Sequence, residues 1–304
     1  MREFRPIATP TRTVEIMRQY DIKMKKSLGQ NFLVEPQILE KMIAAGQIDK
    51  QTTVVEIGPG IGALTEYLAR AAKEVIAFEI DPRFIEILKE TLAEYDNVTV
   101  HHQDILKVNF EEAAYQSLRE AERLVVVANL PYYITTPIIM NLIDSELPFD
   151  ALVMMMQKEV AERMTATVNT KAYNSLTLAI ENSMQAEIAF IVPKGVFIPK
   201  PNVDSAVLKL VRREQPIVQV DDHKKLQQLI QIAFTQRRKT IWNNLRSHVH
   251  ELGRSAEQME RALEIADIDK SRRAESLTLQ EYATLYQALD LGNVSGDSEN
   301  DAVC

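Results

Sequence analysis

Short, mostly apolar runs alternate with amphipathic segments along the first half of the chain. In the amphipathic segments, apolar residues recur at helical spacing, as Ile61, Leu64, Tyr67 and Leu68 do. Nearly continuous apolar strands separated by helices are typical of a parallel sheet covered on both faces. The runs predict strands at 53–57, 74–80, 97–101, 124–128 and 151–156.

The pattern changes in the second half. Segments 186–192 and 205–211 predict two strands with no helix between them, and therefore an antiparallel pair at the sheet edge. From about residue 214 the pattern is helical only. The sequence thus predicts an α/β domain over 1–213, beginning with a basic arm at 1–24, and a small all-helical C-terminal domain over 214–292. Residues 293–304 are small, polar or acidic, which predicts a disordered tail.

Composition narrows the class of protein. The chain is 46% hydrophobic and 26% charged, as globular proteins are. The uncharged stretch 124–143 contains two prolines and two asparagines, which predicts a strand, a loop and a helix rather than a membrane span. The one cysteine, Cys304, excludes a disulfide framework, and no histidine pair has carboxylates at ligand spacing. We therefore expect a soluble, cytoplasmic protein without a metal site.

Charge is unevenly placed along the chain. The net charge is −8, but residues 1–30 carry +4 and residues 194–246 carry +7. A local basic patch binds phosphates even when the whole protein is acidic. Charge alone is equally consistent with a solvated surface and with a nucleic-acid contact.

A glycine-rich loop, Gly58-Pro-Gly-Ile-Gly62, connects a predicted strand to a predicted helix. Glu79 ends the next strand, where a carboxylate can accept hydrogen bonds from ribose hydroxyls. The loop fits a dinucleotide, S-adenosylmethionine (SAM) or a turn without a ligand. Asp104 and Ile105 favour SAM, because they follow the third strand, where a carboxylate can accept from the adenine amine beside an apolar side chain.

Asn129-Leu-Pro-Tyr132 follows the fourth predicted strand. Methylation of an exocyclic amine requires its lone pair to point at the methyl donor. The side-chain carbonyl of Asn129 and the main-chain carbonyl of Leu130 can hold the amine protons. Pro131 fixes the turn and Tyr132 can stack on the base. The motif favours SAM-dependent methylation of a nucleobase over an ordinary turn.

Several segments together resemble the KsgA-type 16S ribosomal RNA adenine dimethyltransferases, over about 25–286. One position departs from the family pattern: Asn174 stands where glycine is usual, and we expect asparagine to keep the left-handed turn. The matching segments are Lys26-Ser-Leu-Gly-Gln-Asn-Phe-Leu33, Glu56-Ile-Gly-Pro-Gly-Ile-Gly62, Phe78-Glu-Ile-Asp81, Gln103-Asp104, Asn129-Leu-Pro-Tyr-Tyr-Ile134, Met156-Gln-Lys-Glu-Val160, Phe197-Ile-Pro-Lys-Pro-Asn-Val-Asp-Ser205 and Ala233-Phe-Thr-Gln-Arg-Arg-Lys-Thr240.

The resemblance implies a Rossmann-like methyltransferase that uses SAM to dimethylate two adjacent adenines near the 3′ end of 16S rRNA. It implies that Tyr132 and Phe197 sandwich the flipped-out adenine. The implied catalytic residues are Asn129, Leu130, Pro131, Tyr132 and Phe197. The implied cofactor-binding residues are Asn31, Leu33, Gly58, Gly60, Glu79, Ile80, Asp104, Ile105 and Asn129.

Basic residues acquire a role from the same resemblance. Lys25, Lys26, Arg237, Arg238 and Lys239 would contact rRNA phosphates, the last three from a helix over 229–245. The implied partner is 16S rRNA within the 30S subunit or its precursor, with a role in ribosome biogenesis. We expect the protein to be a monomer. A solvated helix face is the alternative for 237–239.

Three other functions are compatible with parts of the sequence. A sister family, the erythromycin-resistance-type methylases, modifies 23S rRNA with the same chemistry, although segments 197–201 and 234–240 favour the small-subunit enzyme. A small-subunit assembly factor would use the same binding residues without depending on catalysis. An NAD-linked dehydrogenase fits the glycine loop but lacks hydride-transfer residues.

Overall fold

A computed structural model describes residues 5–22, 31–130, 134–145 and 147–294. Four predicted site residues lie outside these ranges: Lys25, Lys26, Pro131 and Tyr132. The tail residues 295–304 lie outside them as well. None of the helices within the described ranges is long and apolar enough to cross a bilayer.

The chain divides into two compact units, of which the first comprises residues 1–161 and 185–212. Its helices are α1 (Pro10–Gln19), α2 (Pro36–Ala45), α3 (Ala63–Ala71), α4 (Pro82–Thr91), α5 (Gln116–Arg119) and α6 (Thr135–Asp144), and α7 (Lys158–Met164) begins in it. The strands are β1 (Phe32–Leu33), β2 (Thr52–Ile57), β3 (Glu74–Glu79), β4 (Val98–His102), β5 (Arg123–Asn129), β6 (Ala151–Gln157), β7 (Met184–Val192), β8 (Phe197–Ile198) and β9 (Ser205–Arg212).

Seven strands form one sheet in the order β4-β3-β2-β5-β6-β9-β7. The first five are parallel, and β9 runs antiparallel to β6. Every residue of β2 is buried, including Thr52, Thr53 and Glu56, as expected for a central strand of a sheet covered on both faces. The mostly parallel sheet with an antiparallel edge is confirmed, and each predicted strand is present within two residues of its expected bounds.

The predicted basic arm is, in its described part, a helix packed into the core. Thr9 caps α1, and Ile7 and Ile16 are buried in the same apolar cluster as α2 and α3. The main-chain N–H of Ile7 donates to the buried carboxylate of Glu66 at 2.9 Å. The segment is polar on average, but α1 is amphipathic. Its apolar face packs into the core, whatever the average polarity of the segment.

The second unit comprises residues 162–184 and 213–304, and its described part is mainly helical. Residues 162–184 therefore belong to this unit, whereas the sequence placed them in the α/β domain over 1–213. The hydroxyl of Tyr173 donates to the carbonyl of Leu277 at 3.0 Å, a link between distant segments that no local pattern shows. The helices of this unit are α8 (Ser175–Glu181), α9 (His223–Ala233), α10 (Ile241–Arg246), α11 (Ala256–Ile265) and α12 (Leu279–Val294).

Two local expectations in this unit are wrong. The predicted helix over 229–245 is interrupted, because α9 ends at Ala233 and Thr240 caps the start of α10. The buried side chain of Asn244 donates to the carbonyl of Ala233 at 2.6 Å and so stabilises the break. Asn174 is extended, with φ −159°, rather than left-handed, and its side chain accepts from Leu176 as the N-cap of α8.

Candidate active site

One cavity of about 250 Å³ lies at the carboxyl ends of β2, β3, β4 and β5. The strand order reverses between β2 and β5, which is where open α/β sheets bind ligands. All the predicted cofactor-binding and catalytic residues that the structure describes line this cavity: Asn31, Leu33, Gly58, Gly60, Glu79, Ile80, Asp104, Ile105, Asn129, Leu130 and Phe197.

The glycine loop requires glycine for two separate reasons. Gly58 and Gly60 have positive φ angles of 70° and 59°, which other residues rarely adopt. At Gly58 a Cβ atom would also lie only 2.9 Å from Cδ2 of Leu130, which follows β5. The loop and the Asn129-Leu130 segment are therefore in direct contact across the switch point of the sheet.

Glu79 holds the glycine loop in place. One carboxylate oxygen accepts from the N–H of Gly60 at 3.1 Å, and the other accepts from the N–H of Asp81 at 2.8 Å. Burial raises the pKa of Glu79, while these two N–H donors act in the opposite direction. Each oxygen keeps a lone pair that can accept from a ligand hydroxyl.

Asp104 and Ile105 form the next part of the cavity wall. Asp104 caps a short 3₁₀ helix by accepting from the N–H of Leu106 at 3.1 Å. The side chain of Ile105 is buried, whereas Ile80 is 64% exposed at the cavity. An exposed isoleucine beside a buried one offers two apolar surfaces to a flat ring.

Phe197 reaches the cavity through strand pairing that the sequence does not show. The short strands β1 and β8 pair antiparallel, with Leu33 opposite Phe197. Phe197 is buried, and Phe32 in the same pair packs edge-on against Phe84 with ring centroids 6.0 Å apart. Sequence reasoning assigned no role to Phe32 or Phe84, although both line the cavity.

Glu56 is a further cavity residue that sequence reasoning quoted but did not assign. It lies in β2, is 1% exposed, and its Oε2 has no hydrogen-bond partner within the described residues. Burial raises the pKa of Glu56 to about 8, and the nearby carboxylate of Glu79 adds to the rise. A charged residue inside an apolar strand is the sequence signal that could have found it.

The three basic residues 237–239 lie in the connection between α9 and α10 and not on a helix. Arg237 donates to the main-chain carbonyls of Lys171 and Thr170, and its guanidinium lies 3.7 Å from Glu275. Arg238 and Lys239 are exposed, and the structure gives neither side chain an ion pair among the residues it describes. Arg237 thus has a structural role that its neighbours lack.

The family model described as "Ribosomal RNA adenine dimethylase" matches residues 22–285. The chain belongs to this family. Two relatives named "Ribosomal RNA small subunit methyltransferase A" are similar over nearly their whole length. The protein of Enterococcus faecalis is 51% identical, over 95% of this chain and 98% of its own. The protein of Staphylococcus aureus (strain Newman) is 50% identical, over 94% of this chain and 97% of its own.

Solved structures show the same fold. A crystal structure of a dimethyladenosine transferase from Plasmodium falciparum has a TM-score of 0.72 and 29% identity, covering 86% of this chain and 98% of its own. The 23S rRNA methyltransferase ErmE has a TM-score of 0.63 and 24% identity, covering 85% and 99%. The second likeness concerns the fold alone.

As a member of the dimethylase family, the chain is an rRNA adenine dimethyltransferase, and its cofactor is SAM. The residues present in the cavity fit that cofactor. Glu56 offers a buried side-chain oxygen, Oε2, which has no hydrogen-bond partner among the described residues, to a polar group of the cofactor. Gly58 and Gly60 line the cavity without side chains, and Glu79 offers acceptors for ribose hydroxyls.

Replacing Glu56 by glutamine should stabilise the SAM-free enzyme at alkaline pH. The folded protein holds the Glu56 proton up to about pH 8, whereas the unfolded chain releases it near the ordinary value of 4.5. Wild-type stability should therefore fall as pH rises between these values, by about 1.4 kcal/mol per pH unit from this group. Denaturant titrations at pH 5, 6.5 and 8 should show this fall in the wild type and a shallower slope in Glu56→Gln. Equal slopes in both proteins would contradict the assignment.

Proposed function

We propose that this chain uses SAM to convert two adjacent adenines near the 3′ end of small-subunit rRNA to N6,N6-dimethyladenine. The partner is 16S rRNA in the 30S subunit or its precursor, and the enzyme acts as a monomer in the cytoplasm with a role in ribosome biogenesis. One observation carries the proposal: the glycine loop, Glu79, Asp104, Asn129 and Phe197 line one cavity. The 50–51% identity to proteins named for the small subunit supports the target.

The proposed roles follow from position and chemistry. Glu79 accepts from the ribose hydroxyls of the cofactor, Asp104 accepts from its adenine amine, and Ile80 and Ile105 pack on the ring. Asn31 and Leu33, on the segment that pairs with β8, close the cavity over the cofactor. The residues proposed to act on the target base are Asn129, Leu130, Pro131, Tyr132 and Phe197.

SAM supplies a methyl group made electrophilic by its sulfonium. The carbonyls of Asn129 and Leu130 accept from the two protons of the target amine, so that the nitrogen lone pair faces that methyl. Phe197 lies against the base from one side, and Tyr132 stacks on the other. Transfer of that methyl would leave the amine nitrogen cationic and the cofactor sulfur neutral, with the former bonding pair. The carbonyls of Asn129 and Leu130 would stabilise the positive charge before a proton leaves to water.

Transfer of labelled methyl groups tests the proposal directly. The substrates are 30S subunits lacking the adenine dimethylations, mature 30S subunits and protein-free 23S rRNA. Label recovered as N6,N6-dimethyladenosine from the undermethylated 30S alone supports the proposal. Label on 23S rRNA would assign the chain to the resistance-type methylases. SAM binding without any transfer would favour a non-catalytic assembly factor.

Arg238 and Lys239 should contribute to the salt dependence of rRNA binding. Each phosphate contact contributes about 0.7–0.9 to the slope of log affinity against log salt. The double variant Arg238→Ala/Lys239→Ala should therefore bind the 30S substrate more weakly, with a slope smaller by about 1.5. Filter binding at several potassium concentrations measures this.

Arg237→Ala provides the comparison within the same connection. Because Arg237 already contacts Glu275 and two carbonyls of its own unit, its loss should lower thermal stability more than the double variant does. An unchanged salt slope in the double variant would show that residues 238–239 are only a solvated surface.

Lys25 and Lys26 remain proposed phosphate contacts on the same electrostatic grounds.

A further inference from the structure

A buried tyrosine stands behind the wall of the cavity. The hydroxyl of Tyr115 donates to the side-chain oxygen Oε1 of Gln103 at 2.7 Å. Gln103 lines the cavity, between the strand end of β4 and Asp104, whereas Tyr115 does not line it. Neither side chain takes part in the proposed mechanism, although their hydrogen bond lies beside the proposed site of the cofactor adenine.

The ring of Tyr115 is held on three sides. Its centroid lies 5.7 Å from Phe78, 5.5 Å from His101 and 5.8 Å from Phe110. The residue is 3% exposed, and burial raises the pKa of Tyr115, so the hydroxyl stays protonated and can donate. Because the ring is fixed by packing, the direction of its hydroxyl is fixed as well.

Gln103 is held at two points. Its main-chain N–H donates to the carbonyl of Glu79 at 3.0 Å, which continues the pairing of β3 with β4 into the loop. Its Oε1 accepts from the hydroxyl of Tyr115. Because the amide is planar, this bond also fixes the direction of the side-chain NH₂, which is the hydrogen-bond donor that Gln103 can offer a ligand. Purine ring nitrogens and ribose oxygens are acceptors.

We propose that Tyr115 is a positioning residue that orients the amide of Gln103 to donate to the adenosine end of the cofactor. This inference rests on the proposed function, because it requires the adenosine to lie between Glu79 and Asp104. Gln103 would then supply a donor to a wall where the carboxylates of Glu79 and Asp104 are acceptors. Tyr115 itself touches neither cofactor nor substrate, so its effect must pass through Gln103.

Tyr115→Phe tests the proposal, because it removes the hydroxyl and keeps the ring. We expect S-adenosylhomocysteine to bind about 5- to 10-fold more weakly, as the loss of one oriented hydrogen bond predicts. The turnover rate at saturating SAM should stay near that of the wild type. Tyr173→Phe is the matched control: Tyr173 is also 3% exposed and donates to the carbonyl of Leu277 at 3.0 Å, in the other unit. The Tyr173→Phe protein should bind S-adenosylhomocysteine as tightly as the wild type does.

A double-mutant cycle separates positioning from a general packing effect. Gln103→Ala should weaken binding at least as much as Tyr115→Phe, and the double variant should be no weaker than Gln103→Ala alone. The same fold-loss should appear with 5′-methylthioadenosine, which keeps the adenosine but lacks the amino-acid end. Calorimetric titration of all four variants measures these affinities, and thermal melts compare their stability.

The outcomes are distinct. Wild-type affinity in Tyr115→Phe, or additive losses in the double variant, would overturn the proposal. So would a loss with S-adenosylhomocysteine that is absent with 5′-methylthioadenosine. Failure of the wild-type protein to bind either ligand would instead overturn the proposed function.

Discussion

Replacing Asn129 by alanine should lower methyl transfer to undermethylated 30S subunits by at least about 100-fold. Asn129 ends β5 and lines the cavity beside the glycine loop. Without its side-chain carbonyl the target amine keeps only the main-chain acceptor of Leu130, and its lone pair is no longer held toward the methyl group. SAM affinity should stay within a few-fold of the wild type, because the loop and Glu79 are untouched.

Two further variants make this result specific. Asn129→Asp keeps a side-chain acceptor at the same place and should retain more activity than the alanine variant. Asn97→Ala removes an asparagine of the same unit that donates to the carbonyl of Ala69 at 2.8 Å and does not line the cavity. It should leave transfer unchanged. Single-turnover transfer and calorimetric SAM binding, measured on the same proteins, show whether Asn129 acts on the target amine or on the cofactor. A folded Asn129→Ala protein that no longer binds SAM would mean that Asn129 binds the cofactor.

Replacing Glu79 by alanine should weaken SAM binding by about 100-fold or more. The substitution removes two kinds of hydrogen bond to the Glu79 carboxylate. Both are charge-assisted and lie in a buried site, where such bonds contribute most. The ribose hydroxyls lose their acceptor, and the N–H groups of Gly60 and Asp81 lose the carboxylate that holds the loop. Because the proposed target-base residues remain in place, raising the SAM concentration should restore part of the transfer rate.

Glu74→Ala is the matched control, since Glu74 begins the same strand at the end away from the cavity. Its SAM affinity should equal that of the wild type. Glu79→Gln should lie between the two, because an amide offers one acceptor oxygen where the carboxylate offers two. Equal SAM affinity in Glu79→Ala and the wild type would refute the assigned role of this carboxylate.

Four predicted site residues that line the cavity share one property: each ends a strand or follows one within two residues. Gly58 follows β2, Glu79 ends β3, Asp104 follows β4 and Asn129 ends β5. Because parallel strands end at the same sheet edge, position along the chain predicts proximity in space. Phe197 is different, because it reaches the cavity only through the pairing of β8 with β1, and it was found by resemblance to a family motif rather than by pattern.

The errors have a common physical cause. α1 packs into the core because one face of a polar segment is apolar, and α9 ends early because Asn244 binds the carbonyl of Ala233. Asn174 is a helix cap because the N–H of Leu176 needs an acceptor. In each case a local preference gives way to a partner whose position depends on packing.

The sequence by itself therefore determined the sheet, the glycine loop, the family and the residues at the strand ends, because these depend on periodicity and on short motifs. Only the tertiary structure decided the burial that raises the pKa of Glu56 to about 8 and the contact of Tyr115 with Gln103. It also decided the separate role of Arg237 within the basic segment. These properties depend on which distant groups surround a side chain, and burial and hydrogen-bond geometry are set only when the chain folds.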